Sequence, residues 1–278
     1  MERYWVMPLE RKKFVQNEIE GILSRVSEEL DGPATGYIIG GLAMMRHGVK
    51  LATKDVDIVF RKYAGATAFI LSLERLGFND TAPESRKTGA RKRSWRMEGP
   101  GNMRFDVFFR TVCDCLVVSG AMANRASKYP LRGKLALRVI APEDLFLLKS
   151  VTGREDDLAD MSLVAGMGLD WDIIEEELRS QPDFWKWVAH HYVKLGELEA
   201  AFSVRSPLKR RFARDAELAA GIACLNFELE KRPISVKDAR LILNERTEKF
   251  GEEVLKNMVE LGLVRKAKGK FYGRRRNV

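Results

Sequence analysis

The 278 residues carry 48 Lys+Arg against 39 Asp+Glu, a formal net charge of +9, with 45% hydrophobic and 31% charged side chains. That balance excludes disordered and fibrous classes, and the length leaves room for one principal domain and one or two small ones. No apolar stretch reaches the roughly 18 residues needed to span a bilayer, and the start, Met1 to Trp5, lacks the charged-then-apolar pattern of a signal peptide. The expectation is a cytoplasmic protein without membrane contact.

The positive excess is local. Residues 205–278 hold 19 Lys+Arg and 10 Asp+Glu, which leaves 29 of each for residues 1–204. A basic C-terminal quarter is a signal for nucleic acid or for solubility, and says nothing of fold. The cysteines, Cys113, Cys115 and Cys224, offer neither an even disulfide framework nor zinc spacing, and read as small buried hydrophobes.

In chain order, apolar residues recur at spacings of three and four over 9–30, which predicts a helix stopped by Asp31-Gly32-Pro33. A strand over 36–39 enters the pair Gly40-Gly41, and a short helix ends near Gly48. The loop 50–54 leads into a second apolar run, Asp55-Val56-Asp57-Ile58-Val59-Phe60, and a further helix covers 64–76. In a strand, residues two apart share a face, so Asp55 and Asp57 lie side by side. Asp is disfavoured in strands and like charges repel, so a cation between them is the simplest reason for the pattern. Hard oxygen donors select Mg²⁺ or Mn²⁺. Gly40 and Gly41, where a strand ends and a helix begins, suit a phosphate held by backbone N–H groups.

Gly-Gly, a short helix, then Thr53-Lys54-Asp55-Val56-Asp57-Ile58 resembles the nucleotidyltransferase fold of the DNA polymerase β superfamily. The resemblance implies an α+β fold, a mixed sheet flanked by helices, and a third carboxylate on a later strand. Asp106, in Met103-Arg104-Phe105-Asp106-Val107-Phe108-Phe109, is the candidate. It lies on the return strand of a predicted hairpin with outbound strand 92–98 and turn 99–102. The 86–110 segment carries Arg86, Lys87, Arg91, Lys92, Arg93, Arg96, Arg104 and Arg110 against Glu98 and Asp106. It reads either as a solvated edge or as a grip on triphosphate or nucleic-acid backbone. A helix over 120–128 and a strand over 134–140 follow.

From Ala141 the chain turns helical. Pro142-Glu143-Asp144-Leu145, then Lys149, then Arg154-Glu155-Asp156-Asp157-Leu158-Ala159-Asp160 resembles the downstream motif of the branch that contains the AbiEii-type toxin-antitoxin enzymes. In that branch the Lys and the Arg/Asp group face the nucleotide, which implies roles for Lys149, Arg154 and Asp157. A solvent-facing ion-pair cluster is the competing reading. Residues 170–204 are predicted helical, with Trp171, Phe184, Trp185, Trp187 and Tyr192 in packing. His190 and His191 lack metal spacing, and His47 reads as a helix-end residue.

Beyond Ser206-Pro207 the order helix, short extended piece, helix, helix, basic turn resembles a winged helix. Its recognition helix would begin at Lys249, and its mixed charge departs from the basic pattern of a DNA reader. The wing and Arg274-Arg275-Arg276 suit phosphates, and a protein partner remains open.

The expectation is three parts: a nucleotidyltransferase domain over 1–141, a helical segment over 142–205 that completes the site, and a winged-helix-like basic domain over 206–278. The activity implied is transfer of a nucleoside monophosphate from an NTP, ATP among the candidates, to a hydroxyl or phosphate of an acceptor that is RNA, protein or a small molecule. Asp55, Asp57 and Asp106 would hold Mg²⁺ or Mn²⁺, Gly40 and Gly41 the β- and γ-phosphates, and Lys54, Lys149 and Arg154 the charge that develops on transfer. The alternative is a catalytically silent regulator or toxin-antitoxin component that acts through the winged helix. Nucleic acid is expected at 206–278 and 86–110.

Overall fold

Five of the six side chains of Ala34–Ile39 are buried, as in a strand covered on both faces rather than wet on one. The computed structural model, which describes residues 11–82, 87–88, 91–112, 116–152, 156–244 and 248–273, with backbone only at 87–88 and 91–92, places this strand inside a mixed sheet.

The chain divides into two compact units, Met1–Pro182 with Ala200–Val204, and Asp183–Glu199 with Arg205–Val278. In the first, α1 (Gln16–Glu29) leads to β1 (Ala34–Ile39), which runs directly into α2 (Gly40–Arg46), and β2 (Val56–Phe60) and α3 (Tyr63–Arg75) follow. Next come the short β3 (Asn79–Asp80), β4 (Lys87–Thr88) and β5 (Arg91–Lys92), the hairpin of β6 (Ser94–Glu98) and β7 (Arg104–Phe109), and the small β8 (Thr111–Val112) and β9 (Leu116–Val117). Helix α4 (Gly120–Arg125), β10 (Ser127–Lys128), β11 (Leu135–Val139), α5 (Pro142–Ser150), α6 (Asp156–Ala165) and α7 (Trp171–Ser180) complete it. Seven strands pair in the order β10-β11-β1-β2-β7-β6-β3, with β1 parallel to β11 and β2 parallel to β7.

Period-2 alternation sorts the two faces of the central strands. Phe60 and Phe105 point toward α3, where Phe69 packs on both at ring-centroid distances of 5.2 and 5.9 Å, and Phe78 stacks edge-on to Phe105 at 5.5 Å. Asp57, Val59, Asp106 and Phe108 therefore belong to the opposite face.

Helix α1 starts later than its periodicity predicts. Phe14, the apolar residue expected in its first turns, instead exchanges backbone hydrogen bonds with Thr53 at 2.7 and 3.0 Å, so the chain is extended there. The predicted helix over 120–128 ends at Arg125, because Ser127 and Lys128 pair with β11. Cys224 is exposed on α10 (Ala213–Leu229), contrary to the buried role expected of it; Cys113 and Cys115 lie outside the described residues.

The second unit holds most of α8 (Phe184–Phe202), then α9 (Leu208–Arg211), α10, α11 (Val236–Ile242), α12 (Lys249–Glu260) and the hairpin of β12 (Val264–Ala267) and β13 (Lys270–Gly273). Ser235 caps α11 by accepting from Asp238 N, and Asp238 returns the bond to Ser235 N. Ile234 bridges to Phe271, adding a one-residue third strand to the hairpin. Leu225, Leu229, Ile234, Val254, Leu255, Met258 and Phe271 form this unit's core. The tail Arg274 to Arg276 lies outside the described residues. Among the described residues no helix is long and apolar enough to cross a membrane.

Candidate active site

The site begins with a register. Asp57 on β2 pairs with Ile39 of β1 on one side and with Asp106 of β7 on the other, so Asp57 and Asp106 are neighbours on one face of two parallel strands. Asp55 precedes β2 by one residue. The Asp57–Asp106 neighbourhood thus follows from strand pairing between points 49 residues apart in the chain.

The two glycines abut this register. Gly40 sits at φ +60°, and a Cβ there would lie 2.1 Å from Asp57 Oδ2. A Cβ at Gly41 would lie 2.1 Å from Thr53 Oγ1, which itself donates to the Asp55 carbonyl oxygen at 2.9 Å. Side chains are excluded at both positions by the Asp57 and Thr53 side chains already there, so the pair is required sterically whether or not a phosphate also comes close.

A cavity of about 370 Å³ opens beside them, lined by Gly40, Gly41, Lys54, Asp55, Asp57, Lys149 and Asp157 among others. Seven of the nine residues picked out from the sequence therefore share one cleft. Asp106 does not line it: only 3% exposed, it lies behind, with Arg104 at 2.9 Å from Oδ2 and Arg96 at 3.5 Å from Oδ1. Arg154 lies outside the described residues.

Arginines from the hairpin do more than shield an edge. Arg104 bonds to Asp55 as well as to Asp106, and Arg11 also reaches Asp55, so Asp55 is neutralised by two guanidinium groups and Asp106 by Arg96 and Arg104. Arg96 pairs with Asp106 across β6 and β7, which fixes both on one face. The sequence shows these arginines as part of a basic run; only the strand register selects these two.

The helical segment closes the cleft with a buried network. Lys149, at the end of α5, donates to Asp157 Oδ1 at 2.8 Å and to Asp160 Oδ2 at 2.7 Å, Thr152 donates to Asp157, and Lys50 donates to Asp160 at 3.0 Å. Burial pulls the Lys149 ammonium toward neutrality, but the charges and hydrogen bonds of Asp157 and Asp160 together outweigh it and raise its pKa, so the lysine stays cationic. The solvent-facing cluster considered from the sequence is thus a buried one: Lys149, Asp157 and Asp160 are each under a tenth exposed. Lys50 had no signal in the sequence, since its partner is 110 residues away. Lys54 lines the cleft and has no ion pair among the described residues. His47 ends α2 and donates from Nε2 to the Ile140 carbonyl oxygen at 2.7 Å, the helix-end role expected of it.

The carboxylate set was tested against a divalent cation. Among the described residues no three His, Cys, Asp or Glu side chains are gathered closely enough to enclose one. The donor chemistry nevertheless fits: three carboxylates offer hard oxygens only, two of them on the cleft. Asp106 Oδ1 is buried and accepts no hydrogen bond. The guanidinium of Arg104 stands between Asp55 and Asp106, where a cation bridging the two would have to be.

No protein-family model matches the chain, and no curated protein matches it. Among solved structures, it is similar to the lincomycin-bound lincosamide antibiotic adenylyltransferase LnuA, at 14% identity and a TM-score of 0.39, over 56% of this chain and 99% of that one. It is also similar to a candidate nucleotidyltransferase from H. pylori, at 12% identity and a TM-score of 0.35, over 88% of this chain and 96% of that one. Both likenesses are distant, and neither bears on what happens in the cleft.

Proposed function

We propose that the chain is a metal-dependent nucleotidyltransferase that moves a nucleoside monophosphate from an NTP to a hydroxyl or phosphate of an acceptor. The observation that carries the reading is the register: Asp57 and Asp106 side by side on parallel strands, Asp55 adjacent, and a glycine pair pressed against Asp57 at the mouth of the same cleft.

In this reading Asp55 and Asp57, with Asp106 behind them, would hold Mg²⁺ or Mn²⁺. When bound, such an ion supplies charge neutralisation on the triphosphate and a lowered pKa for an attacking hydroxyl. The chain's own residues do the rest. Gly40 and Gly41 leave room for phosphate oxygens to approach backbone N–H groups. Lys54, uncommitted among the described residues, offers its ammonium to a phosphate in the cleft. Lys149 contributes differently from expectation: two of its three N–H donors are given to Asp157 and Asp160, so it fixes α6 against α5 and has at most one donor left for a ligand. Arg104 has a counter-ion role, keeping Asp55 and Asp106 from repelling each other until a substrate-borne cation competes for them. The finer placement in the AbiEii-type branch rests on Pro142-Glu143-Asp144-Leu145, Lys149 and Asp157 through Asp160.

We read the second unit as a winged-helix-like module, supported by the order α10, Ile234 bridge, α11, α12, β12 and β13. Its hairpin carries Arg265, Lys266, Lys268 and Lys270, whereas on α12 the exposed Glu253 is paired with Arg214. Charge-based contact through the hairpin is favoured over base reading by the helix.

The test is incubation of the full chain with each α-phosphate-labelled NTP, Mg²⁺ and either total RNA or a protein extract. Label transfer with pyrophosphate release supports the reading. Tight Mg²⁺-dependent NTP binding without pyrophosphate release, under every acceptor, refutes it in favour of a silent regulator.

A further inference from the structure

The first unit has a second cleft, larger than the first, at the other end of the sheet. It opens where β1 begins and where β2 and β7 finish, and has a volume of about 870 Å³. From Asp57 to Arg61 is four residues of extended strand, about 13 Å at roughly 3.3 Å per residue. Arg61 and Lys62 follow β2 directly, and Arg110 follows β7.

These three cations are exposed and, among the described residues, none has an ion pair. No Asp or Glu lines the cleft. Convergent positive groups without a counter-charge raise the local potential and draw an anion. Arg110 is held there at a conformational cost: its φ is +64°, a left-handed backbone that a long side chain rarely adopts. Two backbone bonds pin it, Arg110 N to Phe60 O at 2.9 Å and Val118 N to Arg110 O at 3.0 Å. Strain enforced by the surrounding structure at a cationic residue is a mark of a functional position.

The rest of the lining tells what kind of anion fits. Its side chains are mostly Gly, Ala, Pro and Val, with Thr35, Tyr37 and Ser119 as the neutral polar groups. Tyr37 is buried, and the Ser119 oxygen accepts from Met122 N at the start of α4. No Asn, Gln, Asp or Glu is present to read a base edge or a ribose, so recognition here rests on charge. We propose that this cleft grips the phosphodiester backbone of a nucleic acid without regard to sequence, through Arg61, Lys62 and Arg110. The site is separate from the carboxylate cleft and does not depend on any transfer there.

The experiment uses the full chain and a fluorescent oligoribonucleotide of randomised sequence, with anisotropy followed across a salt titration. Arg61→Gln with Lys62→Gln should weaken binding at least tenfold and make the slope of log affinity against log salt shallower by about 1.5–2, one step per lost phosphate contact. The charge-keeping pair Arg61→Lys with Lys62→Arg should restore both, which excludes a folding defect. An unchanged slope in the Gln pair overturns the proposal. So does loss of ATP binding in that pair with oligonucleotide binding intact, which assigns the cleft to a mononucleotide.

Discussion

Replacing Gly40 with Ala puts a methyl group where the Asp57 carboxylate now is. The added Cβ would lie 2.1 Å from Oδ2, 2.9 Å from Cγ and 3.2 Å from Cβ of Asp57. Restoring ordinary contact requires the carboxylate to move by about 1 Å, a displacement that at a reacting centre costs on the order of 100-fold. Two terms add in stability: the left-handed backbone at φ +60° costs Ala roughly 1–2 kcal/mol, and crowding a packed position adds about 1–3 kcal/mol. Gly48 supplies the control, because its φ is +78° but nothing lies within 4 Å of its added Cβ. G48A should therefore show the backbone term only, with activity near that of the parent. Urea denaturation and pyrophosphate release, measured on both variants, read the two terms separately. Equal stability and equal activity of G40A and G48A would refute the claim that Gly40 is fixed by Asp57.

Three further outcomes are expected. Asp57→Asn keeps the side-chain volume but removes a charge from the cleft; pyrophosphate release should fall by more than roughly 100-fold, with unfolding little changed. Retained activity would remove the carboxylate mechanism. Arg125 bonds Asp144 at 2.6 and 3.1 Å and Glu177 at 2.6 Å, both carboxylates about 1% exposed, so Arg125→Met should cost about 3–5 kcal/mol in urea unfolding, and adding Asp144→Asn and Glu177→Gln should recover part of it. A loss under about 1 kcal/mol would show the two acids to be solvated. His191 is fully buried, and burial, with the neighbouring His190, holds its pKa down at about 3 against 6.5 when unfolded. The unfolded chain then binds the extra proton first, so the second unit's stability is complete above pH 6.5 and falls on acidification, by roughly 2–3 kcal/mol over the first two pH units. His191→Phe should lose that slope, which unfolding midpoints between neutral and mildly acid pH will show.

Local patterns reached a good part of this molecule. The 104–109 strand and its hairpin, the strand ending at Phe60, the helix after it, and the Ser235 cap were all legible, since each depends on periodicity or on residues within a few positions of one another. The start of α1 was not, because Phe14 is drawn into pairing with Thr53, which no local signal announces. Lys149 was legible as a site residue from its motif, but its commitment to both Asp157 and Asp160 was not: the two acids lie on α6 and the lysine on α5, and only helix packing brings them together.

The sequence by itself determined which residues could do chemistry: a pair of aspartates at strand spacing, two glycines where a strand becomes a helix, and a basic final quarter. Tertiary structure decided what each of them faces. Asp106 joins Asp57 through parallel pairing of β2 with β7, Arg104 and not its many basic neighbours bridges two carboxylates, and Lys50 finds Asp160 across 110 residues. The physical reason is that charge partners in a folded chain are chosen by strand register and helix packing, which set distances that separation along the chain does not encode.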